Sequence, residues 1–193
     1  MEQNEQKDKS VFVTVGTTQF NPLTSSITTP EFLSFLSSHN YTSLTIQYGK
    51  GIPPSFPSCT NLQRTDDGDM TCFLENQTIK CQAYRFKPSL ISDISTASLI
   101  LSHAGAGSIM EGLSFPSVKK VVVVINSQLM NNHQLELAHA MKSRGYLFVL
   151  EHPEEVRERN VMEEVERFVP RKFEGGDGGE DFVKIVDCQM GFV

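Results

Sequence analysis

The run Lys120-Val-Val-Val-Val-Ile125 sets five β-branched residues in succession. A strand with one face in water alternates apolar and polar side chains. A strand without alternation is buried on both faces, which is the situation of a parallel-type sheet covered by helices above and below. Val11-Phe-Val-Thr-Val15 repeats the pattern and stops at Gly16-Thr17-Thr18. Ser43–Tyr48 reads as a second strand and residues 98–102 as a further one. Met70–Leu74, Thr78–Phe86 and Tyr146–Leu150 complete the strand candidates, and 52–69, rich in Pro, Ser and Asp, reads as loop.

Between these runs the period changes to that of a helix. Pro30 sits at a first helical position, followed by Phe32, Leu33 and Leu36. Short helices are expected around Leu90–Ile94 and over 107–114. Leu129–Arg144 carries Met130, Leu137 and Met141 on one side, with Gly145 as its C-cap. Glu154–Val169 carries a stripe of Val161, Met162, Val165, Phe168 and Val169. Strands alternating with helices predict a doubly wound, Rossmann-like, mostly parallel α/β sheet.

A chain of 193 residues supports one good core. The expected division is a disordered tail over 1–9, an α/β domain over 10–169, a flexible linker over 170–180 and a docking segment over 181–193. The glycine-rich stretch 175–179 marks the linker, and Phe182, Val183, Ile185, Val186 and Phe192 make the last piece apolar. A net charge of −6 argues against nucleic acid as a partner. The polar N-terminus lacks a secretion signal, and no apolar run approaches the length needed to cross a bilayer. Cys59, Cys72, Cys81 and Cys188 show no metal-binding spacing, so reduced thiols in a cytosolic protein are expected.

The chemistry concentrates at residues 99–113. Leu99–Leu101 ends in Ser102-His-Ala-Gly-Ala-Gly-Ser108, and a helix opens behind the glycines. That arrangement leaves backbone N–H groups and the positive end of a helix dipole free to face a phosphate. Glu111, three residues beyond Ser108, is placed to accept hydrogen bonds from ribose hydroxyls. The unit reads as a nucleotide or nucleotide-sugar site. His103 ends the strand, where it either faces the phosphates or bonds the backbone. Gly16, Thr17 and Thr18 close the first strand at the sheet edge where such folds bind ligands, and Gly49-Lys50-Gly51 closes the second, with Lys50 near a phosphate or solvated. Asn126 and Asn131-Asn132-His133-Gln134 gather groups suited to sugar hydroxyls, one of the asparagines doubling as a helix cap. Asp67-Gly-Asp69 has the spacing of a metal motif but sits in a polar loop, so no metal site is assigned.

Val11–Thr18, Tyr84-Arg-Phe-Lys-Pro-Ser-Leu90, Ser102–Ser108 and Leu129-Met-Asn-Asn-His-Gln-Leu-Glu-Leu-Ala138 together resemble a family of cytosolic catalytic subunits of a eukaryotic N-acetylglucosaminyltransferase, similar to the C-terminal lobe of glycosyltransferase family 28. Those enzymes add the second GlcNAc to the dolichol-linked oligosaccharide precursor. More distantly the chain is similar to the C-terminal lobe of the bacterial two-lobed GT-B enzyme that adds GlcNAc to the peptidoglycan lipid precursor. Asn21 stands where the family often has Asp.

The resemblance implies a donor-binding lobe for UDP-GlcNAc, working without metal or cofactor. A separate membrane-anchored subunit would supply the other lobe and the lipid-linked acceptor surface, at the cytosolic face of the endoplasmic reticulum. It implies diphosphate contacts from Gly105, Gly107 and Ser108, with Ala104 among the donor-binding residues, a ribose contact from Glu111, and sugar contacts from Asn132, His133 and Gln134. His103 and His133 are candidates for the catalytic base, which the partner otherwise supplies. Glu154–Val169 and the C-terminal segment are the candidate partner surfaces. Two other readings stay open: a self-sufficient soluble glycosyltransferase acting on a small acceptor, and a non-catalytic nucleotide-sugar-binding subunit.

Overall fold

The structure, a computed structural model, describes residues 8–57, 59–74, 78–103, 105–115, 117–126 and 132–173, with only the backbone of 106 and 132–134. Eight strands form one sheet: β1 Lys9–Thr14, β2 Tyr41–Gln47, β3 Thr60–Arg64, β4 Met70–Leu74, β5 Ile79–Tyr84, β6 Leu99–His103, β7 Lys120–Val124 and β8 Phe148–Leu150. Six helices accompany them among the described residues: α1 Asn21–Ser26, α2 Pro30–Ser38, α3 Ile91–Thr96, α4 Ala106–Leu113, α5 Asn132–Ser143 and α6 Arg159–Arg167. The strand order is β3-β4-β5-β2-β1-β6-β7-β8. Strands β5 through β8 in that order run parallel, and β3 and β4 add an antiparallel margin. The doubly wound, mostly parallel sheet expected from the sequence is therefore what the chain forms.

The valine run shows why. Side chains of a strand alternate between faces, and Val121 to Val124 are all without solvent exposure. Val122 and Val124 join Val11, Val13, Leu44, Ile46, Leu99 and Leu101 beneath α1, α2 and α6. Val121 and Val123 join Phe12 and Ile100 beneath α3, α4 and α5, against Ile94, Ile109, Leu137 and Met141. Each such valine contributes on the order of 1.5–3 kcal/mol by leaving water.

Three elements differ from the sequence expectation. Residues 52–69 contain β3, an edge strand whose five residues are all exposed; it has no apolar alternation to announce it and exists through pairing with β4. Helix α1 also lacks a periodic signal, since its buried positions include Thr24 and Ser26. The expected helix Glu154–Val169 is two pieces, a 3-10 turn Pro153–Arg157 and α6, separated by extended backbone at Glu158. Val156, Met162 and Val165 are spent on the chain's own core, Phe168 packs edge-on against Phe148, and Val169 is 83% exposed. The apolar face suggested as a partner surface is thus largely occupied from within. The segments 1–7 and 174–193, with the tail, most of the linker and the docking segment, lie outside the described residues.

Candidate functional site

After β1 the chain goes to β2 on one side, and β6 takes the place on the other side of β1. The carboxyl ends of β1 and β6 therefore border the topological switch point, where open α/β sheets bind ligands. Thr14 and Ser102 are in register, so the residues that follow, Gly16–Thr18 on one side and His103 and Gly105 on the other, face each other across the crevice.

The β1 loop is fixed from below and behind. Gly16 has φ +59° and donates its N–H to the Thr14 hydroxyl, which in turn bonds Gln47 of β2. Gly49 has φ +56°, and a Cβ there would lie 2.3 Å from the Thr18 carbonyl oxygen. That carbonyl accepts the Lys50 N–H at 2.8 Å. Asn21 Oδ1 accepts the Ile52 N–H at 2.9 Å, a bond an aspartate would also accept.

Opposite, Gly105 is the N-cap of α4 with extended backbone and no side-chain cap. The first intrahelical bond runs from Ile109 N–H to the Gly105 carbonyl. The N–H groups of 106–108 thus stand outside the helical ladder, and no acidic residue occupies the first turn. A Cβ on Gly107 would meet nothing within 4 Å; the space over it is open.

His103 is wedged between the two loops. A Cβ at Gly16 would come 2.8 Å from its Cε1, and one at Gly105 would come 2.5 Å from its Nε2. Its Nδ1 is buried without a hydrogen-bond partner among the described residues. Burial pushes the imidazole below its ordinary pKa. The Thr14 main chain lies close enough to pull the other way by less, without meeting Nδ1 in hydrogen-bond geometry.

A cleft of 620 Å³ opens here, lined by Gly16, Thr17, Gln47, His103, Gly105, Gly107, Ser108 and Glu111 on its polar side. Phe86 to Ile91, with Ile94 and Phe115, form an apolar wall. Phe86 and Ile91 are exposed, while Lys87 is held at 3.0 Å by Asp93, whose other donor is Tyr84 at 2.6 Å.

Seven residues singled out in the sequence thus converge: Gly16, Thr17, His103, Gly105, Gly107, Ser108 and Glu111. Two do not line the cleft. Thr18 gives its hydroxyl to the Val15 carbonyl and shapes the loop. Asn126 is buried, with its amide on the Gln19 carbonyl at 3.4 Å. Ala104 and the side chains of Asn132, His133 and Gln134 lie outside the described residues; the α5 backbone begins at Asn132, beyond the carboxyl end of β7. Lys50 serves through its main chain. Asp67 and Asp69 belong to the β3–β4 turn closed by Thr65, and among the described residues no group of acidic, His or Cys side chains is arranged for a metal. The apolar wall was missed by residue-level reasoning, although the motif Tyr84–Leu90 contains half of it.

The glycosyltransferase family 28 C-terminal domain matches residues 10–166. The chain belongs to this family. It is 41% identical over 140 residues to the human UDP-N-acetylglucosamine transferase subunit ALG13, covering 72% of this chain and 11% of that protein. It is 31% identical to the Cryptococcus neoformans protein of the same name, covering 72% of this chain and 76% of that one. The chain therefore spans about a tenth of its human relative and three quarters of its fungal one. The solution structure of an ALG13 superposes with a TM-score of 0.67 at 22% identity, over 93% of this chain and 95% of that one, and shares the fold.

Proposed function

We propose that this family 28 domain is the donor-binding part of a transferase that moves GlcNAc from UDP-GlcNAc to a GlcNAc-diphospho-dolichol acceptor, with inversion and without a metal. The observation that carries the reading is the uncapped α4 N-terminus opening into a cleft at the switch point. The cleft offers what the donor needs at each end. The apolar wall from Phe86 to Leu90 suits a base, Glu111 suits the ribose hydroxyls, and the free N–H groups of 106–108 suit the diphosphate.

Those N–H groups and the helix dipole are fixed in place before the reaction. They would hold the negative charge that develops on UDP as the glycosidic bond breaks, the task that a metal performs in other architectures. Asn132, His133 and Gln134 at the start of α5 would hold the sugar. Inversion also needs a base beside the acceptor hydroxyl; His103 and His133 are the candidates on this chain, and the partner's lobe is the other source. A division of labour with a membrane-anchored subunit at the cytosolic face of the endoplasmic reticulum completes the reading, and the description of its relatives as a transferase subunit supports it.

The test is transfer of labelled GlcNAc from UDP-GlcNAc to a GlcNAc-diphosphate-polyprenol. Membranes depleted of their own version of this subunit should regain transfer when the chain is added, and the chain alone should be inactive. Full activity from the chain alone would overturn the two-subunit reading, and no activity in either condition would overturn the reaction.

A further inference from the structure

His103 occupies a position that binding of a diphosphate must change. Its ring fills the gap between Gly16 and Gly105, too tightly for either to carry a side chain. The enclosed atom is Nδ1, which has no partner among the described residues, and Nε2 lies along Gly105 at the mouth of α4. Among the described residues, few charges face it. The β1 loop brings Gly16 and Thr17, the neighbouring strand β7 brings Val124, and the first turn of α4 brings no acid. The other titratable groups lining the cleft, among the described residues, are Glu111 and Lys87, the latter already paired with Asp93. Burial and the positive end of α4 both favour the neutral ring while the cleft holds no anion.

A neutral imidazole has one N–H and one lone pair. With the lone pair on Nε2, the ring would set it against phosphate oxygens. With a proton there as well, the same atom becomes a charge-assisted donor beside two negative charges. We propose that binding of a nucleotide-diphosphate sugar draws a proton from solvent onto Nε2 of His103, so that the ligand and the proton bind together. This rests on the donor reading above, and an imidazole so protonated cannot take the acceptor's proton, so the base is left to His133 or the partner's lobe. The proton comes from the buffer and returns to it on release, with no covalent change.

The measurement is calorimetric titration of the full chain with UDP-GlcNAc, whose phosphodiester oxygens do not themselves titrate near neutrality. It is repeated in buffers of different ionisation enthalpy. The observed heat should vary with the buffer, reporting uptake of about 0.3–1 proton per ligand near neutral pH, and affinity should rise by up to about tenfold per pH unit as pH falls through the linked window. His103→Gln keeps an N–H donor without a titrating ring, and should abolish the buffer dependence and flatten the pH profile. Binding whose heat is independent of buffer overturns the inference, as does buffer dependence that persists in His103→Gln, and both leave the donor reading standing. Absence of UDP-GlcNAc binding in every buffer overturns the donor reading and the proton linkage together.

Discussion

The Tyr41 hydroxyl donates to Glu166 Oε2 at 2.9 Å, joining the first residue of β2 to the last turn of α6. Lys9 of β1 and Lys120 of β7 close on the same carboxylate, and Lys120 also donates to the Glu166 carbonyl. The amino edge of three strands is thereby tied to α6, at the end of the sheet away from the cleft. Burial works against the Glu166 carboxylate, but the bonds from Lys9 and Tyr41 and the charge of Lys120 outweigh it and hold its pKa below the ordinary value of 4.5.

A depressed carboxyl stabilises the fold in full above its unfolded pKa, and that contribution disappears as pH falls through the lower folded value. Glu166→Gln should therefore lower unfolding stability at pH 7 by about 1–2 kcal/mol, and the difference should shrink as pH falls into the acid range through the depressed folded value, where wild type takes up the proton. Denaturant melts across that range check it; an equal loss at both ends would show that the carboxylate charge is not the source.

Two glycines should part stability from binding. Gly49→Ala puts a Cβ against the Thr18 carbonyl in left-handed backbone, and should cost on the order of 2–3 kcal/mol. Gly107→Ala meets open space in a helix that prefers alanine, so stability should hold or rise by up to about 1 kcal/mol, while UDP-GlcNAc binding weakens because the new methyl group stands in the cleft. Thermal melts and ligand titration on both variants read the two effects separately.

Glu111 is exposed and lines the cleft. Glu111→Ala should leave unfolding stability within about 0.5 kcal/mol and weaken UDP by roughly 10- to 100-fold, the worth of a charge-assisted hydrogen bond or two. Inorganic pyrophosphate, which has no ribose, should bind both forms equally. A matching loss with pyrophosphate would move Glu111 away from the sugar.

Met162 is a fully buried side chain of α6, whereas Val169 lies just beyond that helix in the open. Met162→Ala should cost about 2–5 kcal/mol, and Val169→Ser should be silent in the melt. If instead Met162→Ala leaves the isolated chain's stability intact and only weakens assembly with a partner, the α6 face is not the core element described.

How far the sequence discloses the fold depends on what holds each element. Strands β1, β6 and β7 and helix α2 are held by burying apolar residues at a fixed period, and period is legible. Strand β3 is held by hydrogen bonds to β4, for which Thr60–Arg64 carries no side-chain signature. Helix α1 is held partly by Thr24, Thr28 and Ser26 hydroxyls that bond carbonyls or Arg157, and such residues read as loop. At the site, the gathering of the glycines and Glu111 at one cleft was legible because a strand, a glycine turn and a helix start follow one another at fixed spacing. Phe86 and Ile91 were not, because an exposed aromatic or aliphatic residue has no meaning until the fold sets it opposite α4. Asn126 shows the converse: an amide suits a sugar and a neighbouring carbonyl equally well, and its buried bond to the Gln19 carbonyl has no trace in the sequence until the fold brings the two together.

The interlocked turns at Gly16, Thr18 and Gly49 have a kinetic meaning. Because the Thr18 carbonyl is both packed against Gly49 and bonded to Lys50, neither turn has room to shift alone, and one lip of the cleft is finished before any ligand arrives. Its ordering entropy is already spent in folding, so association should be fast there and the slow adjustment should fall to the facing lip. On the donor reading proposed above, a nucleotide would meet that lip already in its final shape, and any fitting would fall to the wall from Phe86 to Ile91.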